Sequence, residues 1–566
     1  MSWAAFIHVP LGPVLLGVLS HVTVFIRGEW HMRVPVLITT YSCLITALLW
    51  IEYSISGSSK ASITIVGRIT GLYATGLLGS IIIYRRYLHR LRDFPGPSLA
   101  ATSKLWHVWK SADGKNHLLL ERLFNRYGPI IRTGPEELTI INAAIPHIID
   151  GSKSQFRRAT FYDAFLPMVA ISATRNVDDH DTRRRIWNRG FSSKALAGYE
   201  SLMLRYTELL ASQIQNLLSE ESMGTNSREV IINVTDWFAW YAFDVMGEFA
   251  FSKSFNMLRD GKWHSKIRLL VDGMNAGGTF GKVPWLVQLG KIIRPRVSLV
   301  KDWDSMLQWC RDCMDERLQW LINAYIGDGS QQAELAWLQG DAVTMIIAGS
   351  GTVSIVLTFA FYQLARDHSQ QQMLYDEIKD VNIYDGLKLQ ECAQLTAFIN
   401  ETLRLYPPVP TAGNKVTPPQ GVTINNTYIP GGVTIVAPKY LIHRLESSYE
   451  SADQFIPERW TTLPDMVKDN RGYVPFSQGK YGCIGKQFAM TEMRLVISLL
   501  LKKFKIEFQA NDNKGEALFE DLKDNFTFCT RRFTSEISVK ESCLMLGGWF
   551  RRVHTFSSNI RRSYAM

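Results

Sequence analysis

Hydrophobic residues gather at the start of this chain as they do nowhere else along it. Val9–Ile26, Val34–Ile51 and Ile63–Tyr84 are apolar runs, each near the ~20 residues a helix needs to cross a bilayer. A cleavable leader has one short apolar core and a small-residue cleavage site, a pattern that three runs do not match. Arg27, His31 and Arg33 separate the first two runs, and Arg85, Arg86, Arg90 and Arg92 follow the third. Basic flanks stay cytoplasmic, so both clusters are expected on that side, with the Ser56–Lys60 loop opposite. Arg68 interrupts the third run, and one span with interfacial helices is the alternative to three. Phe94-Pro95-Gly96-Pro97 then ends any helix, because proline fixes φ and biases its predecessor toward extended backbone. Residues 1–93 read as an anchor and 94–540 as one large domain without an obvious linker or repeat. Residues 541–566 are a basic, aromatic tail with no clear period.

Past the proline break, the longest apolar helical pattern runs from Glu334 to Asp367. Ala342–Tyr362 within it carries no charge, so length alone allows a fourth crossing; a long helix buried inside one domain is the simpler reading. Gln487–Phe504 has apolar residues at helical spacing and Lys502 and Lys503 near its end, where a helix favours cations. Phe161–Ser172 and Met274–Leu289 are apolar but broken by proline or glycine, and read as irregular loops. The chain has 62 basic and 52 acidic residues, a net charge of +10. That suits an anionic membrane surface or an acidic protein as well as nucleic acid. Seven cysteines at irregular spacing argue against a disulfide framework. Cys310 and Cys313, with no second pair, read as one helix face rather than a zinc site.

The candidate chemistry lies just before the Gln487 helix, in Phe476–Lys486 (FSQGKYGCIGK). Cys483 sits on a glycine-rich turn at a helix start, where backbone N–H groups and the helix dipole favour a thiolate. Gly479 and Gly485 permit positive φ angles and close approach to a flat cofactor. The order Phe476, Gly479, Cys483, Gly485 resembles the haem-ligand loop of the cytochrome P-450 superfamily, F-x-x-G-x-R-x-C-x-G. The resemblance makes Cys483 the axial thiolate of a haem iron. It also puts Tyr481 where the family has an arginine for a haem propionate; a tyrosine offers one hydroxyl instead.

Further motifs resemble those of the superfamily, in its order. Asp178–Ser193 (DDHDTRRRIWNRGFSS) is similar to its C helix, on which His180, Arg184 and Trp187 would meet the propionates. A solvated basic patch, or a docking face for an acidic redox partner, is the other reading of that stretch. Ala348–Thr352 (AGSGT) resembles A-G-x-[D/E]-T. Small residues such as Gly349 let that helix pass close to the haem, and the Thr352 hydroxyl handles dioxygen and relays protons. Gly351 stands in place of the acid, which leaves proton delivery to water, to Thr352 or to the substrate. Glu401 and Arg404 form E-x-x-R, and Arg459 ends a P-E-R segment; the resemblance implies one buried carboxylate shared by two guanidiniums. Lys415 occupies the position of a strand residue, often arginine, that meets a propionate. Asp524–Thr527 resembles the last hairpin of the family, beyond which the expected proline and closing strand are missing. By position the two irregular loops correspond to the substrate pocket and its entrance.

The resemblance covers Phe94 to Thr527. It implies a mainly α fold with a small β region, the cytochrome P-450 fold behind a transmembrane helical anchor, with haem b (iron protoporphyrin IX) as cofactor. It implies a monooxygenase that puts one atom of O2 into an apolar small molecule, most like fungal secondary-metabolism members. Electrons from NADPH would arrive through NADPH-cytochrome P-450 reductase, with cytochrome b5 a further candidate, at a basic surface that includes Lys480, Lys486 and Arg184. No nucleic-acid partner is expected. The catalytic domain would face the cytosol at the endoplasmic reticulum membrane, leaving sequons at Asn233, Asn400, Asn425 and Asn525 unglycosylated. Gly351 keeps a haem-thiolate isomerase or dehydratase open as a rival, beside a non-enzymatic membrane haem protein.

Overall fold

The computed structural model describes residues 11–541, except 167, 226–228, 293–304, 306–307, 310–311, 313–330, 412, 510–514 and 530–535. Cys310, Cys313 and the tail beyond 541 lie outside the described residues. The apolar N-terminal runs form α1 (Leu11–Ser20, prolonged by a π turn to Phe25), α2 (Val34–Ser56) and α3 (Ser59–Ile83). With their flanking turns, α2 and α3 are long and apolar enough to cross a membrane, whereas the described part of α1 is shorter. Gly57 ends α2 at φ 64°, and the Ser58 hydroxyl caps α3 by accepting the Ala61 N–H.

Helices α1 and α3 cross in backbone contact. A Cβ on Gly17 would lie 2.3 Å from the Tyr73 carbonyl oxygen, and one on Gly76 would lie 2.1 Å from that of Val14. Small residues at such a crossing let dispersion and polar contacts hold helices together where no hydrophobic effect operates. His21 Nδ1 and Ser80 Oγ, 2.8 Å apart, add one polar contact, and the Tyr41 and Tyr73 hydroxyls (2.6 Å) join α2 to α3. Val14 beside Gly76 and His21 beside Ser80 mean that α1 and α3 run in the same direction.

The body of the protein is mainly helical. α4 (Val177–Gly190) and α5 (Ser193–Thr225) lead to α6 (Val234–Phe251), whose apolar surface packs along α9 (Gln331–Arg366). Between them in sequence come α7 (Ser265–Phe280) and α8 (Pro284–Ile292). α10 (Ala393–Leu405) and α11 (Lys486–Lys503) complete the core. By length and composition α9 can cross a membrane, yet Ile346, Val353, Leu357, Phe359 and Leu364 are buried inside the core. It is the long internal helix of the simpler reading. Its Asp341 accepts the Trp187 indole N–H (2.8 Å) and the Ile171 N–H (2.6 Å), which ties α4 and the preceding loop to it.

Met274–Leu289 is not an irregular loop: it closes α7 and opens α8. Gly278 does not break α7. A Cβ there would lie 2.3 Å from Asn525 Cα, so the glycine admits a neighbouring chain. Pro284 stands at the start of α8, where its missing N–H costs nothing.

One sheet has the order β1 (Ile130–Gly134), β2 (Glu137–Ile140), β6 (Thr434–Val436), β5 (Lys415–Val416), β3 (Arg157–Arg158), with β2 and β6 parallel and the other pairs antiparallel. A second sheet sets β10 (Glu536–Glu541) between β4 (Glu229–Asn233) and β7 (Phe504–Phe508), antiparallel to both. The closing strand that the sequence seemed to lack is therefore β10, formed without the expected proline. β8 (Lys523–Asn525) and β9 (Thr527–Cys529) make the last hairpin, with Phe526 at its tip at φ 82°.

The N-terminal helices touch this body directly. α8 packs against α2 and the His31–Arg33 turn. Arg175 bridges Glu29 (2.7 Å) and Asp163 (2.5 Å), and His31 Nε2 lies 2.7 Å from the same Asp163 carboxylate. Hydrogen bonds from His31 and Arg175 outweigh burial and hold Asp163 below the usual carboxylate range.

Candidate active site

Cys483 lies just before α11, on a turn closed by its own N–H to the Phe476 carbonyl (2.7 Å) and by Gly482 N–H to the Gly479 carbonyl (3.1 Å). Gly479 has φ 61°, and a Cβ on it would sit 1.9 Å from the Asp150 carbonyl oxygen, so only glycine fits. Gly485 precedes α11 with no side-chain cap, and its own N–H bonds to the sulfur. Burial pushes the Cys483 thiol up. The Gly485 N–H works against that, as do the charges of Arg184, Lys439 and Lys486. Arg184 also donates to the Gly482 carbonyl (2.6 Å), and so grips the turn from α4.

The sulfur faces an internal cavity of about 370 Å³, within the range of small-molecule sites. Phe476, Tyr481 and Gly485 share the wall with Cys483, and Ala348, Gly349 and Thr352 of α9 form another. A Cβ on Gly349 would lie 2.5 Å from Met246 Sδ, so this glycine lets α9 lie close against α6. The Thr352 hydroxyl donates to the Ala348 carbonyl (2.5 Å). Gly351 does not line this cavity; it borders a second one. Tyr162 and Ser172 come from the first predicted pocket loop. Its Phe161 stacks on Phe526 (5.7 Å between centroids), and Phe526 lines the cavity from the hairpin tip. Among the described residues, none of Met274–Leu289 lines it; Met274 lines the second cavity.

One edge of the cavity is cationic. Lys415 Nζ is 3.0 Å from Asp150 and 3.3 Å from the centre of the Tyr481 ring; the Arg158 guanidinium lies 4.7 Å from that same ring. Burial pushes Lys415 down to about 8 against the pull of Asp150, and pushes Arg158 and Lys439 down as well. Tyr481 thus gathers cations on its π face rather than offering a hydroxyl. His180 sits beside it with its ring tilted, 4.7 Å between centroids, and bonds to Asp181 (2.8 Å), outside the cavity lining. Trp187, expected at the propionates, spends its N–H on Asp341 instead. Arg158, Lys439 and Asp150 line the cavity as well, and the sequence reading missed all three. The Arg157-Arg158 pair beside an aromatic stretch was the one local signal.

Behind this wall, Glu401 is fully buried and accepts from Arg404 Nε (2.9 Å) and Nη2 (2.8 Å), Arg459 Nε (3.0 Å), Trp460 Nε1 (2.9 Å) and Ile456 N (2.9 Å). Arg404 donates onward to the carbonyls of His443, Ala452 and Gln454. Lys480 lies 5.1 Å from the Tyr481 ring, and Lys486 is exposed beside Phe476.

A thiol on one wall, glycines where a side chain would intrude, apolar faces and a rim of two buried cations and one half-buried cation fit an iron porphyrin with two carboxylates. The comparisons agree. The cytochrome P450 family model matches residues 95–521. A cytochrome P450 monooxygenase of Fusarium pseudograminearum is 34% identical, covering 91% of this chain and 94% of its own length. One of Aspergillus versicolor is 33% identical, covering 92% and 95%. Tryprostatin B 6-hydroxylase of Aspergillus fumigatus is 32% identical, covering 88% and 91%. With a cysteine turn, a glycine-bearing α9 and a Glu401 network all in one body, the chain belongs to the cytochrome P450 family, as one of its monooxygenases.

Proposed function

We propose that this protein binds haem b through the Cys483 thiolate and inserts one atom of O2 into an apolar small molecule of fungal secondary metabolism. The observation that carries this reading is that Cys483 faces the same cavity as Gly349 and Thr352. Bound haem supplies the redox chemistry, and a thiolate ligand favours O–O cleavage by pushing electron density toward the iron. The protein's share is placement. Gly485 N–H and Arg184 hold the sulfur and its turn, while Lys415, Arg158 and Lys439 would hold the two carboxylates. The Thr352 hydroxyl, by releasing the Ala348 carbonyl, can hold or pass a proton inside the cavity. Phe526, Tyr162 and Met345 orient the substrate and keep water out.

In this reading residues 1–93 anchor the protein in the endoplasmic reticulum membrane and residues 94–540 face the cytosol. NADPH-cytochrome P-450 reductase, with cytochrome b5 as a second donor, docks on the cysteine side at Lys486 and its neighbours. The Asn233 side chain is spent on capping α6 and Asn525 is buried, which suits sequons that carry no glycan. The relatives' names favour oxygen insertion over the isomerase, dehydratase and non-enzymatic readings that Gly351 had kept open. The first test is the carbon monoxide difference spectrum of the reduced protein. A haem-thiolate band that disappears in Cys483→Ala is expected, and its absence from the native chain sinks the reading. Substrate-dependent NADPH consumption with added reductase then separates a monooxygenase from an isomerase.

A further inference from the structure

The larger of the two cavities is not the one Cys483 faces. Gly351, Ser354 and Thr358, on the neighbouring face of α9, border a space of about 470 Å³. That is roughly three times the ~150 Å³ apolar cavity known to take up benzene. α9 is the dividing wall: Ala348, Gly349 and Thr352 line only the thiolate cavity, and Gly351 lines only the second. The second space is open at Gly351 because residue 351 has no side chain. A Cβ there would meet no atom within 4 Å.

The remaining walls have the make-up of a ligand site. Phe243, Trp263 and Phe528 present rings, and Leu270, Val271 and Ile355 fill between them. Polar atoms gather at one end, where α6 begins. Thr235 Oγ1 is buried with no hydrogen-bond partner. The Asp236 carboxylate accepts the Trp263 indole N–H at 2.9 Å on one oxygen, and only a long 3.3 Å bond from Asn233 on the other. An apolar enclosure with a few converging polar groups is the usual form of a small-molecule site. Arg268 and Asp272, both half-exposed and 3.8 Å apart, line the space where it reaches the surface, and the groups at the α6 end offer acceptors.

We propose that this cavity is a second small-molecule site. Gly351, at the acid position of α9, leaves it unobstructed on that side, and it takes a neutral aromatic or alicyclic molecule that donates an N–H or O–H to the Thr235–Asp236 end. The proposal rests on the haem reading only in that the first cavity must already be assigned.

The test uses the full-length, haem-loaded protein in nanodiscs, titrated with 5-fluoroindole and followed by fluorine NMR. Probe in the thiolate cavity is broadened by the iron, and probe behind α9 is broadened far less. Two bound resonances are expected. Ala239→Phe and Thr358→Phe, each placing a ring in the second space, should remove the sharper one and leave the broadened one. A single broadened resonance overturns the proposal, and so does a sharper one that survives both substitutions. Should neither variant fold, relaxation in the native chain decides: two resonances with equal iron broadening place both probes in the first cavity and overturn it. A protein that takes up no haem gives no broadened resonance at all, which sinks the haem reading and leaves the cavity-filling arm to judge the second site.

Discussion

Tyr481 shows how a single residue can depart from a family pattern and keep the site intact. An arginine there would bring a fourth cation beside Lys415, Arg158 and Lys480; the tyrosine ring instead draws three of them together on or beside its face. Tyr481→Phe keeps the ring and should change thermal stability by less than about 0.5 kcal/mol. Tyr481→Arg loses the cation–π contacts and adds repulsion, and should cost about 1–2 kcal/mol and weaken haem retention. Equal melting temperatures for the two variants would count against this account. His443 makes a prediction about acid. Its Nδ1 pairs with the Arg404 carbonyl (3.1 Å) while Nε2 accepts the Val474 N–H (3.4 Å), an arrangement for the neutral ring. Burial pushes it from its ordinary ~6.5 down to about 3, and His117 likewise. Between those values the unfolded chain binds protons that the folded chain refuses. Stability therefore falls as pH drops from about 6.5 toward 3, by up to about 1.4 kcal/mol per unit for each histidine. His443→Gln, which keeps one donor and one acceptor, should shift acid unfolding to lower pH; circular dichroism during acid titration reads the shift.

Elements differ in how plainly their sequence announces them. α9 and α11 are legible because their apolar positions recur at helical spacing over many turns. The turn of α7 into α8 was misread because glycine and proline were taken as breaks. Gly278 is instead a point of approach for Asn525, and Pro284 a helix start. β10 left no local trace: half of its pairing is with β4, some three hundred residues upstream. Apart from Lys415, the cationic rim was hidden for the same reason, since Asp150, Arg158 and Lys439 come from separate segments and share no spacing. Glu401 and Arg404, by contrast, sit one helical turn apart, and α10 buries both. Their role as a clamp has a measurable size. Glu401→Gln would leave two buried guanidiniums without their shared charge, and should cost about 3–5 kcal/mol. A drop in melting temperature and in recovered haem protein is expected; a fully stable variant would refute the clamp.

At the scale of the molecule, the N-terminal helices and the body are joined by more than the chain that links them. Arg175 and His31 converge on Asp163, in the short helical segment Thr160–Phe165 that carries Tyr162 into the cavity wall. Arg175 and Glu29 are partly exposed, so their pair alone is worth only about 0–1 kcal/mol; the effect to look for is local motion. Arg175→Ala should speed hydrogen exchange in residues 160–165 with little change in global stability, and high salt should do the same to the native chain. Unchanged exchange in both would mean the contact is idle. The consequence reaches into practice. Cutting the chain before Phe94 to make it soluble discards Glu29 and His31 and leaves Asp163 with Arg175 alone. Such a shortened enzyme would keep its fold and lose a brace on its pocket, so the ligand preferences measured on it would describe the cut and not the full-length protein.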